Sequence, residues 1–218
     1  MKDNYVAYVG SYTHESSKGI HIYDCDVEKG RIYERCEVPI DNPSYITLSH
    51  DKRFLYAICD QGVSAYAITE DGSLELMNVV SINGMRGCHI SVTKANNFLV
   101  VSGYHDGKIT VMHINADGSV GSIADEVFHK GMGSVAERNF RPHVSNTCFT
   151  PDEDLLCNIT VLIFPGMLSK DSSSHQNDLP ASHAAIHKSV LHEMLFLRLS
   201  PSLSVILHIH KHGYPSSS

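Results

Sequence analysis

The sequence predicts an all-β chain, and three observations carry that prediction. Its apolar residues alternate or run continuously and show no helical spacing, turn signals punctuate them at short intervals, and the pattern recurs after 44 to 46 residues. Taken in order, YVAYVGSY from Tyr5, GIHIYDCD from Gly19 and RIYERCEV from Arg31 are rich in Val, Ile and Tyr and are separated by Ser/Lys/Gly and Glu/Lys/Gly turns. Branched and aromatic side chains suit a pleated, half-buried surface, so these are expected to be three antiparallel strands. YITLS from Tyr45, FLYAI from Phe54, VSAYAI from Val63 and LELMNVV from Leu74 follow, with DKR, DQG and EDGS between them, and make a four-stranded meander.

The order then repeats as HISVT from His89, FLVVSG from Phe98, ITVMHI from Ile109 and SIADEVF from Ser122, with HDGK and NADGS in the turns. Leu48 corresponds to Val92, Phe54 to Phe98, and Asp71-Gly72-Ser73 to Asp117-Gly118-Ser119. Another copy opens at PHVSNTCFTPDEDLL from Pro142, after the insertion HKGMGSVAERNFR. Four short strands per repeat of about 40–50 residues are the pattern of β-propeller blades.

Composition narrows the function. The chain has 218 residues, 42% of them hydrophobic and 19% charged, enough to bury the core of one or two domains. A formal charge of -7 without any Lys/Arg cluster argues against a nucleic-acid surface, while leaving local arginines free to hold a small anion. MKDNYVAYVGSYT has no apolar core of signal-peptide length, and no stretch approaches the roughly 20 apolar residues of a membrane span, so a cytoplasmic protein without a membrane partner is expected. Cys25, Cys36, Cys59, Cys88, Cys148 and Cys157 form no CxxC pair and are read as reduced packing residues. No metal site and no cofactor are expected.

GSYT at Gly10–Thr13, GIHIYDCD, NPSYITLSHDKRFLYAI from Asn42, GCHISV from Gly87, DGSV at Asp117–Val120 and RPHVSNTCFTPDE from Arg141 stand in register. Together they resemble the lactonase family of seven-bladed β-propellers, which includes propeller-type 6-phosphogluconolactonases and, more distantly, fungal carboxymuconate cyclases. The likeness covers Asn4 to about Cys157. It implies an all-β propeller of which this chain carries about three of the seven blades. Residues 1–157 are therefore read as a partial lactonase-type propeller and 158–218 as a non-matching segment. The latter holds seven histidines, three acidic residues (Asp171, Asp178, Glu193) and two glycines (Gly166, Gly213). Two readings of it stay open, an out-of-frame translation and a poorly ordered tail. His208, His210 and His212 alternate in HIHKH and would share one face of a strand, but no partner ligands accompany them. The first blade has three strands in sequence. The resemblance implies that a C-terminal strand closes such a ring, and that closure is expected to be absent here, leaving open sheet edges through which the chain would self-associate.

The resemblance also implies the chemistry, in which base-activated water attacks a lactone carbonyl and a cation or hydrogen-bond donor holds the oxyanion. His143, in RPHVS, matches a channel-facing histidine of the family and is the first candidate for general base, although Ser145 stands where many relatives carry a second histidine. His89, in GCHIS, occupies the equivalent place one blade earlier, at the start of an innermost strand, and is the second catalytic candidate. Arg138 and Arg141 bracket the same loop and could clamp a sugar phosphate or polarise the carbonyl; Arg86 and Tyr12 complete the substrate-binding candidates. The expected reaction is hydrolysis of a sugar lactone, 6-phosphogluconolactone to 6-phosphogluconate. Two alternatives remain: an inactive truncated propeller that acts only as a binding module, and a carboxymuconate-type, lactone-forming cyclase.

Overall fold

A computed structural model describes residues 4–130, 142–153, 156–161 and 208–212. Its elements are all strands: β1 (Asn4–Gly10), β2 (Gly19–Asp26), β3 (Arg31–Pro39), β4 (Ile46–Leu48), β5 (Phe54–Cys59), β6 (Gly62–Ile68), β7 (Leu74–Val80), β8 (His89–Val92), β9 (Phe98–Gly103), β10 (Lys108–Ile114), β11 (Val120–Phe128), β12 (His143–Phe149), β13 (Leu156–Val161) and β14 (His208–His212). They form three four-stranded antiparallel sheets, β14-β1-β2-β3, β4-β5-β6-β7 and β8-β9-β10-β11, and a two-stranded sheet β12-β13. These are blades 1, 2 and 3 and the inner half of blade 4, as the repeat predicts.

One expectation is corrected. His208–His212 supplies the fourth strand of blade 1, antiparallel to β1 with Asn4 opposite His212 and Tyr8 opposite His208. Backbone pairing needs no particular side chains, which is why a segment without a family motif can still complete the sheet. The rest of 158–218 beyond β13 and β14 lies outside the described residues, as does the two-way reading of that segment.

The first strands of successive sheets, β4, β8 and β12, abut one another, so they line one side of the array. Alternation along each strand sends one set of side chains to the preceding blade and the other to the next. Between blades 1 and 2, Val6, Tyr8, Ile20 and Ile22 meet Ile46, Leu55, Ala57 and Tyr66. Between blades 2 and 3, Tyr56, Ile58, Val63 and Ala65 meet Ile90, Val92, Leu99, Val101 and Met112. Each fully buried apolar side chain of this size contributes roughly 1.5–3 kcal/mol.

A hydrogen bond repeats at these two seams. Tyr8 donates its hydroxyl to the Gly72 carbonyl at 2.8 Å, and Tyr56, one blade on, donates to the Gly118 carbonyl at 3.0 Å. Both acceptors sit in the Asp-Gly-Ser turn of the following blade, where Asp71 and Asp117 accept from the backbone and hydroxyl of Ser73 and Ser119. Gly118 lies at φ +89°, and a Cβ there would come within 2.3 Å of the Phe54 ring, so the turn needs glycine both for its backbone and for the seam. The third seam is thinner: Val100 occupies the tyrosine position and packs with Ile109 and Val144, while Ser102 Oγ and Thr147 Oγ1 meet at 2.5 Å.

Candidate active site

β8 and β12 are equivalent strands of blades 3 and 4, and each begins with a candidate histidine. The His143 ring is half-buried and stacks on Tyr104, with centroids 4.4 Å apart and planes 18° from parallel. Its Nδ1 lies 2.6 Å from the Tyr104 carbonyl oxygen. A carbonyl only accepts, so Nδ1 carries the proton and the lone pair of the neutral ring lies on Nε2. That is the tautomer a general base needs.

His89 is placed differently. It is 8% exposed, stands edge-on to Tyr45 at 4.5 Å, and its Nδ1 accepts the Thr147 backbone N–H at 3.4 Å. Its proton is therefore on Nε2, the opposite tautomer from His143. Desolvation brings its pKa down to about 4, so the ring is neutral near pH 7. Tyr45 precedes β4 and Thr147 lies on β12, so His89 joins the innermost strands of blades 2, 3 and 4.

Arg86 lies on the segment between β7 and β8. Its Nη1 donates to Asp60 Oδ1 at 2.7 Å, and its guanidinium lies 5.1 Å from the centroid of the Tyr12 ring, so two sequence candidates do meet. The remaining oxygen of Asp60 accepts from Asn42 Nδ2 at 2.7 Å, and Asn42 Oδ1 accepts from the N–H and hydroxyl of Thr13 at 3.0 and 3.2 Å. Burial pushes the Asp60 carboxyl up, but these hydrogen bonds and the Arg86 charge outweigh it and hold the group below the usual carboxylate range.

Three further contacts fix the Arg86 segment. Asp106 Oδ2 accepts the Met85 N–H at 3.0 Å, and the buried Lys108 ammonium donates to the carbonyls of Ile82 and Asn83 at 2.6 and 3.2 Å while pairing with Glu126 at 2.7 Å. A Cβ at Gly84 would meet Asp106 Oδ2 at 2.6 Å, so the segment passes this close only because Gly84 has no side chain. The sequence reading missed Asp60, Asn42, Asp106 and Lys108. Asp60 and Asp106 read there only as turn residues in DQG and HDGK; superposing the repeats shows them at one position before the third strand of each blade, the signal that could have found them.

Arg138 and Arg141 lie outside the described residues. The described site thus holds a half-buried histidine with its proton on Nδ1 at one innermost strand, a neutral buried histidine at the next, and an arginine held by contacts from three blades. All lie on segments that lead into or connect the inner strands.

This is the architecture of a β-propeller whose candidate polar side chains gather at its innermost strands. Residues 6–160 match the family described as lactonase, 7-bladed beta-propeller, and the chain belongs to that family. Among curated proteins, it is 32% identical to the 6-phosphogluconolactonase of Bacillus subtilis over 212 residues, covering 90% of this chain and 60% of that protein. That alignment takes in residues beyond 157, whereas the family match ends at residue 160. Among solved structures, a putative 6-phosphogluconolactonase from Bacteroides fragilis superposes with a TM-score of 0.67 at 32% identity, over 72% of this chain and 45% of that one. The periplasmic gluconolactonase of Pseudomonas aeruginosa gives the same TM-score at 25% identity, over 72% of this chain and 47% of that one. The chain thus spans about half the length of these relatives.

Proposed function

We propose that this chain hydrolyses a sugar lactone, with 6-phosphogluconolactone as substrate and 6-phosphogluconate as product. The observation that carries this reading is the Nδ1 bond from His143 to the Tyr104 carbonyl, which leaves the basic lone pair on Nε2. In the proposed cycle that nitrogen takes a proton from water as the water attacks the lactone carbonyl, and the imidazolium returns it to the ring oxygen as the C–O bond breaks. Arg86, held by Asp60 and Tyr12, is the described candidate for the substrate's anionic group; Arg138 and Arg141 share that assignment. His89 serves as a neutral support between inner strands. A cytoplasmic location and self-association through the open edges complete the reading; cell fractionation and light scattering check them.

The test is the rate of lactone opening with the purified chain, read by alkali uptake at constant pH against the buffer rate, with His143→Ala beside it. A rate above buffer that falls in the variant supports the assignment. A wild-type rate equal to buffer defeats it. The second reading is a binding module without turnover; the chain covers 45–60% of the three relatives named above. That reading predicts binding of 6-phosphogluconate with no rate above buffer.

A further inference from the structure

The outer strands of blade 1 carry a group of side chains that the lactonase reading does not use. In all three complete blades the ladder between the third and fourth strands slips at the same place, between Ile22/Tyr23, Ala65/Tyr66 and Val111/Met112, and in blade 3 it slips a second time between Met112/Ile114. A bulge of this kind inserts one residue and so lets two positions three apart on the fourth strand point to one face. In blade 2 the residues brought to that face are Ser64, Tyr66, Leu76 and Val79; in blade 3 they are Thr110, Met112, Ile123 and Glu126, whose carboxylate is paired with Lys108 at 2.7 Å. Blade 1 places His21, Tyr23, Glu34 and Glu37 there.

The arrangement in blade 1 differs from both. His21 Nδ1 stands 2.7 Å from Glu34 Oε1 and 3.4 Å from Glu37 Oε1, and one ligand atom from each of the three residues lies within 4.8 Å of the others. Among the described residues neither carboxylate pairs with a lysine or arginine, so two negative charges converge on one imidazole. Behind the ring, His21 Nε2 lies 2.8 Å from Ser17 Oγ, which also meets Ser11 Oγ. A hydroxyl there can accept from Nε2–H once Nδ1 gives up its proton, the outer contact that commonly fixes a metal-bound histidine.

We propose that His21, Glu34 and Glu37 form a binding site for a divalent transition-metal cation of the zinc class, with water in a fourth position. One imidazole nitrogen and two carboxylate oxygens are donors that zinc takes in tetrahedral sites; calcium and magnesium prefer all-oxygen sets. The cation replaces the proton on Nδ1 and neutralises the two glutamates. Bridging β2 and β3, it ties the outer half of blade 1 together. The site is independent of the lactonase reading, because it lies on the outer strands of blade 1.

Cobalt(II) is the probe, since its visible absorption reports coordination and it substitutes for zinc. The full, chelator-treated chain is titrated alongside Glu37→Gln, which keeps shape and hydrogen bonding while removing the charge, and His21→Asn. A third variant replaces His208, His210 and His212 by Asn to remove the other histidine cluster. The expected result is one equivalent of a tetrahedral cobalt band in the wild type and in the His208/His210/His212 variant, displaced by zinc. It is lost in His21→Asn, weakened in Glu37→Gln, and weakened about 10–100-fold in Ser17→Ala, the loss typical of an outer contact. A band that survives in Glu37→Gln and His21→Asn, or that disappears with the His208/His210/His212 variant, overturns the assignment. So does the absence of any band in a wild type whose circular dichroism shows it folded.

Discussion

His89 and His143 begin the same strand in consecutive blades, yet their surroundings give them opposite tautomers. Thr147 donates to Nδ1 of His89, whereas Nδ1 of His143 donates to Tyr104. One ring is closed in between inner strands and has lost most of its affinity for a proton; the other is half-open and stacked on a tyrosine. A repeat therefore fixes where a residue stands, while its neighbours decide what it can do.

Replacing His143 by Ala should separate the two roles most sharply, lowering lactone turnover by about 10²–10⁴-fold, the usual range for a general base. The stability of that variant should fall by no more than the lost Tyr104 stack contributes, about 1 kcal/mol, and a rate unchanged within error would remove His143 from the chemistry. For His89 the expected effect is on stability against pH. Its pKa is depressed in the folded chain, so between about 6.5 and about 4 the unfolded chain holds a proton that the folded one does not. Its contribution is complete above pH 6.5 and is lost as the pH falls toward 4, on the order of 3 kcal/mol in all. Urea titrations across that window should show the slope, and His89→Gln should flatten it; an unchanged slope would contradict the burial account.

Removing the ring beneath His143 tests the comparison more gently. Tyr104→Ala keeps the carbonyl acceptor and deletes a stacked partner worth about 1 kcal/mol, so turnover should drop on the order of 10-fold. A loss as large as that of His143→Ala would mean that the ring has a role of its own. The smallest effects are expected at the seams, where Tyr8→Phe and Tyr56→Phe should each cost about 1 kcal/mol in chemical unfolding without changing turnover.

Much of the fold was legible because the repeat is written in local terms. Gly72 and Gly118 mark their turns, and Leu55-Tyr56-Ala57 and Leu99-Val100-Val101 mark second strands buried on both faces. β14 was illegible for a physical reason: it adds to the sheet by main-chain pairing across some two hundred residues, and HIHKH carries no periodic apolar signal. The site was half legible. His143 stood out through the family resemblance of RPHVS, and His89 as a polar residue opening an inner strand, but the clamp on Arg86 depends on Asp60 and Asp106, whose second role exists only when three blades are side by side. His21, Glu34 and Glu37 are likewise brought to one face by a register slip that no spacing rule shows.

The tyrosine bonds give the array a polarity. Each donor reaches forward into the turn of the next blade, at Gly72 and then Gly118, and the series ends at Val100. Under force or heat, therefore, the assembly has a weak end: the half-blade beyond Val100 should fray first, and the Tyr8 and Tyr56 seams should hold until last.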